Sequence, residues 1–155
     1  MTPLPARPSG LTYTSTGFTL QIPSLDVVEE IITVPQSDGT YPVDWLGSSV
    51  GLLEESSLPG TGVTVLTGHN HLNTTETGPF LFIRTLEDGD RIMVTNEDGT
   101  LLRYSVYGNY RIASDDFASL VGELRPNSLV LITCEDEAAD GGYINRRIIF
   151  AEQLG

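Results

Sequence analysis

The chain has 155 residues, 39% of them apolar and 19% charged, and its 8 basic residues stand against 21 acidic ones for a formal charge of −13. That length suits one domain with a core of its own, and the composition is that of a globular protein rather than a disordered one. The excess of negative charge repels polyanions, which argues against nucleic acid and anionic membrane as partners. All the basic residues are arginines, so the chain offers no lysine amine to an acyl group, and its single cysteine, Cys134, excludes both an internal disulfide and the paired-cysteine zinc patterns.

In chain order, residues 1–17 (MTPLPARPSGLTYTSTG) form a Pro/Gly/Ser/Thr-rich stretch expected to be a flexible tail or linker, ahead of one domain over residues 18–155. The stretch has no apolar signal-peptide core, and no apolar run in the chain reaches the roughly 18 residues of a membrane span. FTLQIPSL (18–25) alternates like a strand, with Pro23 suiting an edge or bulge, and VVEEIITV (27–34) is rich in β-branched residues. VDWLGSSVGLLEES (43–56) predicts a helix weakened by Gly47 and Gly51. GVTVLTG (62–68) is a short strand, and GPFLFIRTL (78–86) predicts one or two helical turns with Pro79 at the first position. RIMVTN and TLLRYSVYGNYRI flank Glu97-Asp98-Gly99, a hairpin turn signal. SDDFASLVGEL (114–124) predicts a helix capped by Ser114 or Asp115, and the strands SLVLIT (128–133) and RRIIFAEQL (146–154) follow. Strands at short spacing with brief helices between them predict an all-β closed barrel, with a sandwich as the alternative.

Three segments place reactive side chains at predicted strand ends: His69 after VTVLTG, Cys134 after LVLIT, and Arg146 and Arg147 before IIF. A rigid sheet can aim such ends at one point. Clustered, they would supply a base, a nucleophile and an anion stabiliser. Each residue alone is open to a blander reading: His69 as a surface or satisfied core histidine, Cys134 as a small buried hydrophobe. His71, two residues on, could equally be a base.

With these motifs the sequence resembles the sortases. That family carries its histidine in a GH motif after a strand, here Thr67-Gly68-His69-Asn70. Its cysteine sits in a TLxTC motif, here Val130-Leu131-Ile132-Thr133-Cys134, with Val130 in place of the first threonine. Its arginine precedes an apolar run, here Arg147-Ile148-Ile149-Phe150, and PFLFIRTLEDGDRI matches the apolar helix and GD turn between histidine and cysteine. The resemblance spans roughly residues 18–154. It implies an eight-stranded β-barrel and a cysteine transpeptidase, which cleaves an LPxTG-like sorting signal through a thioester and transfers the carboxyl to an amine, anchoring proteins to the cell wall. It carries over His69, Cys134 and Arg147 as catalytic residues, with Arg146 as the alternative because side chains alternate along a strand. Thr133 is expected to touch substrate. The implied partners are a sorting-signal peptide and an amine acceptor, either a peptidoglycan crossbridge or a protein lysine, for a monomeric catalytic domain. The implied location is the extracellular face of the bacterial membrane, with the membrane anchor absent from this sequence.

Leu58-Pro59-Gly60-Thr61-Gly62 itself reads LPxTG. It lacks the apolar span and basic tail that follow a sorting signal, and it leads directly into the histidine strand, so it is expected to be a Pro/Gly turn. The acidic run Glu135-Asp136-Glu137, with Asp140, is expected to be a solvated loop whose carboxylates disfavour a thiolate at Cys134. No cofactor is expected; a Ca²⁺ site is the lesser reading of the acidic run, since hard cations take carboxylate oxygens, although the spacing matches no EF-hand loop. A papain-like hydrolase would place cysteine before histidine, the reverse of the order here. The non-enzymatic alternative is an acidic β-sandwich adhesin or wall-binding module.

Overall fold

The computed structural model describes residues 14–35, 46, 48–70, 77–113, 117–137 and 143–154, and only the backbone of residues 117, 121, 134–137 and 143–144. These residues contain eight strands: β1 (Thr14–Ile22), β2 (Val27–Val34), β3 (Val50–Leu53), β4 (Thr64–Thr67), β5 (Arg91–Asn96), β6 (Leu101–Ala113), β7 (Ser128–Glu137) and β8 (Tyr143–Gln153). They close into a barrel in the order β1-β2-β3-β4-β7-β8-β6-β5, with β5 returning to β1. The pairs β2–β3 and β4–β7 are parallel and the others antiparallel. The expected closed eight-stranded barrel is therefore the architecture, and closure leaves no strand edge unpaired.

Alternation along the strands divides the apolar residues between two clusters. Leu20, Ile31, Leu66, Val94, Leu129, Leu131, Ile149 and Ala151 fill the lumen with Phe80 and Tyr104. Val130, Ile148 and Phe150 lie on the outer face of the sheet and pack with Leu120, Val65, Tyr107 and Ile132. Leu120 comes from a 3-10 helix, Phe117–Glu123, which covers that outer face. Strands β7 and β8 are thus apolar on both sides, which is why LVLI and IIFA read as continuous runs rather than as alternation.

Several elements differ from their sequence reading. The helix predicted over 43–56 contains strand β3 instead: Val50, Gly51 and Leu52 are buried, and the strand pairs in parallel with Ile31–Val34 of β2. Burial against two neighbouring strands outweighs a weak helix propensity. A Cβ on Gly51 would lie 2.6 Å from Val34 Cγ2, so close strand packing, not helix weakness, accounts for that glycine. Over 78–86 the helical part is a 3-10 turn at Ile83–Thr85. Over 114–124 it is 3-10 from Phe117, and the predicted cap lies outside the described residues. Pro23 is neither edge nor bulge; it opens a 3-10 turn, Pro23–Leu25, that ends at Asp26 in the left-handed region (φ 56°) and reverses β1 into β2. Strand β1 starts at Thr14, four residues before the expected strand. The hairpin at 97–99 is present, closed by Asn96 N–H to Thr100 O at 2.9 Å. Among the described residues, no helix is long and apolar enough to cross a membrane.

Candidate active site

Strands β4, β7 and β8 are adjacent in the barrel, and each carries one of the reactive segments. Strands β4 and β7 run in parallel, with Thr67 opposite Ile132. Two residues further along the chain from these stand His69, just past the end of β4, and Cys134, within β7. The link between the strands continues past the last paired residues: Gly68 N–H donates to Ile132 O at 3.3 Å, and Thr133 Oγ1 donates to Gly68 O at 2.8 Å. Thr133 is 4% exposed, so this hydroxyl bond is made away from water.

The chain after β4 is held on its other side by residues 78–80. Phe80 N–H donates to His69 O at 3.0 Å and Gly78 N–H donates to Asn70 O at 2.8 Å. Phe80 is fully buried in the lumen beneath Gly68, where a Cβ would lie 2.9 Å from its ring. Gly78 approaches still closer, since a Cβ there would meet the His69 carbonyl. His69 is half-buried between these two attachments. We expect Gly78→Ala to displace the His69 backbone and lower kcat/KM at least about tenfold, because a 1 Å misplacement near reacting groups can cost roughly 10²-fold. Steady-state kinetics beside a thermal melt would measure it.

The register of β7 and β8 separates the two arginines. Cys134 is directly opposite Arg146, and Thr133 is directly opposite Arg147. Directly opposed positions lie on the same face of a sheet, and faces alternate along each strand. Counting by twos, the positions of Cys134 and Arg146 fall on the outer face with Ile132 and Ile148, while His69 follows the end of β4 two residues beyond Thr67. The Arg147 position falls on the lumen face with Thr133 and Ile149. Its guanidinium Nη1 donates to Asn109 Oδ1 at 3.0 Å. Asn109 in turn donates through Nδ2 to Arg84 O at 3.0 Å and Leu86 O at 2.8 Å. Asn109 therefore ties β8 to the turn that closes the barrel end. Sequence reading passed over it, although a polar Asn in the apolar stretch VYGNYRI, one residue after the bulge at Val106/Gly108, was a usable signal.

Cys134 is not at the end of its strand: β7 runs on to Glu137 and pairs there with Tyr143 of β8. The segment Glu135–Glu137 is accordingly strand rather than loop, because continued pairing with β8 satisfies its backbone. Asp140 and His71 lie outside the described residues. Among the described residues, no group of three or more His, Cys, Asp or Glu is arranged to hold a metal ion. A cavity of about 270 Å³ backs onto the 77–82 segment and is lined in part by Asp26, Glu29, Gly78 and Phe82; burial pushes the Glu29 carboxyl above its ordinary pKa.

The bond from Thr133 to Gly68 yields a stability prediction. Thr133→Val keeps the shape but leaves the Gly68 carbonyl without this donor. The expected loss is about 1–3 kcal/mol, the cost of an unsatisfied buried polar group. Urea unfolding of variant and parent measures it as a fall in midpoint at constant m-value.

A sequence profile of the sortase domain matches residues 20–154. No curated protein sequence gives a significant match. Among solved structures, the chain is similar to sortase C-1 of Actinomyces oris (25% identity, TM-score 0.69, covering 89% of this chain and 73% of that one). It is similar too to sortase A of Corynebacterium diphtheriae (26% identity, TM-score 0.69), covering 89% of this chain and 60% of that one. The fold is shared as well with a Clostridium perfringens sortase C, described with the C-terminal cell wall sorting motif, at 24% identity and TM-score 0.65, covering 88% of this chain and 69% of that one.

Proposed function

The chain belongs to the sortase family, and from that premise we propose that it is a cysteine transpeptidase that cleaves an LPxTG-like sorting signal and transfers the new carboxyl to an amine. The observation that supports the residue assignment is the register: Cys134 and Arg146 occupy directly opposed outer-face positions of β7 and β8, and His69 follows the end of β4, which pairs with β7. Cys134 is the nucleophile. Its thiolate adds to the carbonyl carbon of the signal's threonine, His69 protonates the departing glycine nitrogen, and a thioester remains. An acceptor amine then adds to the thioester, losing its proton to His69 as the thiolate leaves. The arginine meets the negative charge that develops on the carbonyl oxygen, which fixed donors stabilise without reorganisation. For that role the register favours Arg146 over Arg147. Thr133 acts here as a positioning residue, since its hydroxyl proton goes to Gly68 rather than to a substrate.

The substrate class is supported by the sorting motif described with the C. perfringens neighbour. The acceptor, whether a peptidoglycan crossbridge or a protein lysine, comes from outside, as the chain contains no lysine. The work is done at the extracellular face of a bacterial membrane, where sorting signals emerge. The test is mass spectrometry of the acyl-enzyme formed with a panel of sorting-signal peptides. The expected result is a mass increase on Cys134 with LPxTG-type peptides; no adduct with any of them would refute the reading.

His69→Ala is expected to lower turnover by about 10²–10⁴-fold, the usual worth of a positioned general acid–base. His71→Ala should have little effect. Progress curves on one cleavable peptide, with both variants at equal concentration, would separate the two histidines.

A further inference from the structure

The pentapeptide Leu58-Pro59-Gly60-Thr61-Gly62 matches LPxTG at every fixed position, and it lies in the connection between β3 and β4. Leu58 is 48% exposed and Thr61 is exposed, while Pro59 is buried. The stretch is closed on itself. Leu58 O accepts from both Thr61 N–H, at 3.1 Å, and Thr61 Oγ1, at 2.7 Å. Gly60 adopts φ +86° and packs on Leu102, where a Cβ would lie 3.3 Å from Cδ1. The base of the turn is fastened by Ser57 N–H to Val63 O at 2.9 Å, by Ser56 Oγ to Leu53 O at 2.8 Å and by Val65 N–H to Ser56 Oγ at 3.1 Å.

We propose that the Thr61–Gly62 peptide bond is a latent cleavage site for a second copy of this chain, kept closed in the native fold by this turn. The proposal rests on the sorting-signal reading above. Exposed loop tips are where chains are ordinarily nicked, so exposure alone would leave the motif vulnerable. A signal held in a binding groove must present its residues one after another. In the folded turn the first and fourth residues are instead hydrogen-bonded to each other, and the threonine hydroxyl is occupied. Recognition requires the β3–β4 connection to open. Leu58, Gly60 and Thr61 are exposed and the turn is closed by few hydrogen bonds, so it opens at lower free energy than the buried strands on either side of it. Strand β4 stays paired with β7 when the connection opens, so an opened copy remains folded as it is presented to an intact copy that acts as the enzyme. In the step, the Cys134 sulfur of the intact copy bonds to the Thr61 carbonyl carbon of the opened copy. The Thr61–Gly62 C–N bond breaks, His69 protonates the Gly62 nitrogen, and water hydrolyses the thioester to free the thiol and a Thr61 carboxylate. The cut separates β1–β3 from the rest of the barrel, which makes it irreversible for that copy.

The test uses trace active enzyme with three substrates under one condition: a synthetic peptide of residues 55–65, an unrelated Leu-Pro-Glu-Thr-Gly peptide, and the full chain carrying Cys134→Ala. The expected result is cleavage of both peptides, the first between Thr61 and Gly62, with the folded Cys134→Ala chain cut at least about 10²-fold more slowly. Adding Ser56→Ala to that chain removes the side chain that fastens the turn and should speed the cut at least about tenfold, read by mass spectrometry as fragments ending at Thr61 and starting at Gly62. Cleavage of the unrelated peptide but not of 55–65 overturns the proposal and leaves the enzyme's function standing. A folded chain cut as fast as the peptide overturns the protective role of the turn. Cleavage of neither peptide sinks this proposal and the sorting-signal reading together.

Discussion

Cys134→Ala is expected to remove cleavage and transfer together, by at least about 10⁴-fold, and to leave no acyl-enzyme detectable by mass spectrometry. Losing the nucleophile of a catalytic unit costs roughly 10⁶-fold in a well-studied protease. No other residue can replace it, because Cys134 is the sole cysteine in the chain. The fold should be indifferent: β7 continues past this position to Glu137 on backbone hydrogen bonds that alanine preserves. A melting transition close to that of the parent, with the acyl adduct gone, is the expected pair of results. Turnover near the parent level would mean that the chain does not work through a thioester at all.

The second large effect separates Arg146 from Arg147. Because Arg146 is directly opposite Cys134, Arg146→Ala is expected to lower kcat by about 10²–10³-fold, the range measured when one oxyanion donor is removed. Arg146→Lys should recover only part of this, since an ammonium lacks the planar fork of donors. Arg147→Ala should act mainly on stability. It breaks the bond to Asn109 and so loosens the tie from β8 to the carbonyls of Arg84 and Leu86. The expected signature is a lower urea midpoint with kcat largely kept. Kinetics and unfolding on both alanine variants decide the matter. A dead Arg147→Ala that melts like the parent would instead restore the arginine that stands next to the apolar run.

Much of the fold could be read from the residues. The turn Glu97-Asp98-Gly99 between two β-rich runs marks a hairpin whatever surrounds it, since the turn is a local event. The runs LVLI and IIFA announce strands, and the order of histidine, cysteine and arginine motifs points to one enzyme family. Strand β3 was hidden, because Val50–Leu53 is only four residues long and owes its form to β2 and β4 on either side. Asn109 stood out as a polar residue in its stretch, but its role was hidden because its partners, Arg84, Leu86 and Arg147, are distant in sequence.

What the sequence by itself determined was the set of chemical groups: one thiol, a glycine-preceded histidine and two adjacent arginines at the borders of apolar strands. Composition and local propensity act residue by residue, and they suffice to say that such groups exist and which segments carry them. Only the tertiary structure decided how those groups are shared between the two faces of the sheet. Alternation states that neighbours such as Arg146 and Arg147 lie on opposite faces, but not which face meets Cys134. That depends on the register of β8 against β7, set by long-range pairing from Ser128 opposite Glu152 to Glu137 opposite Tyr143. A slip of one residue would exchange the two arginines while leaving every local preference unchanged.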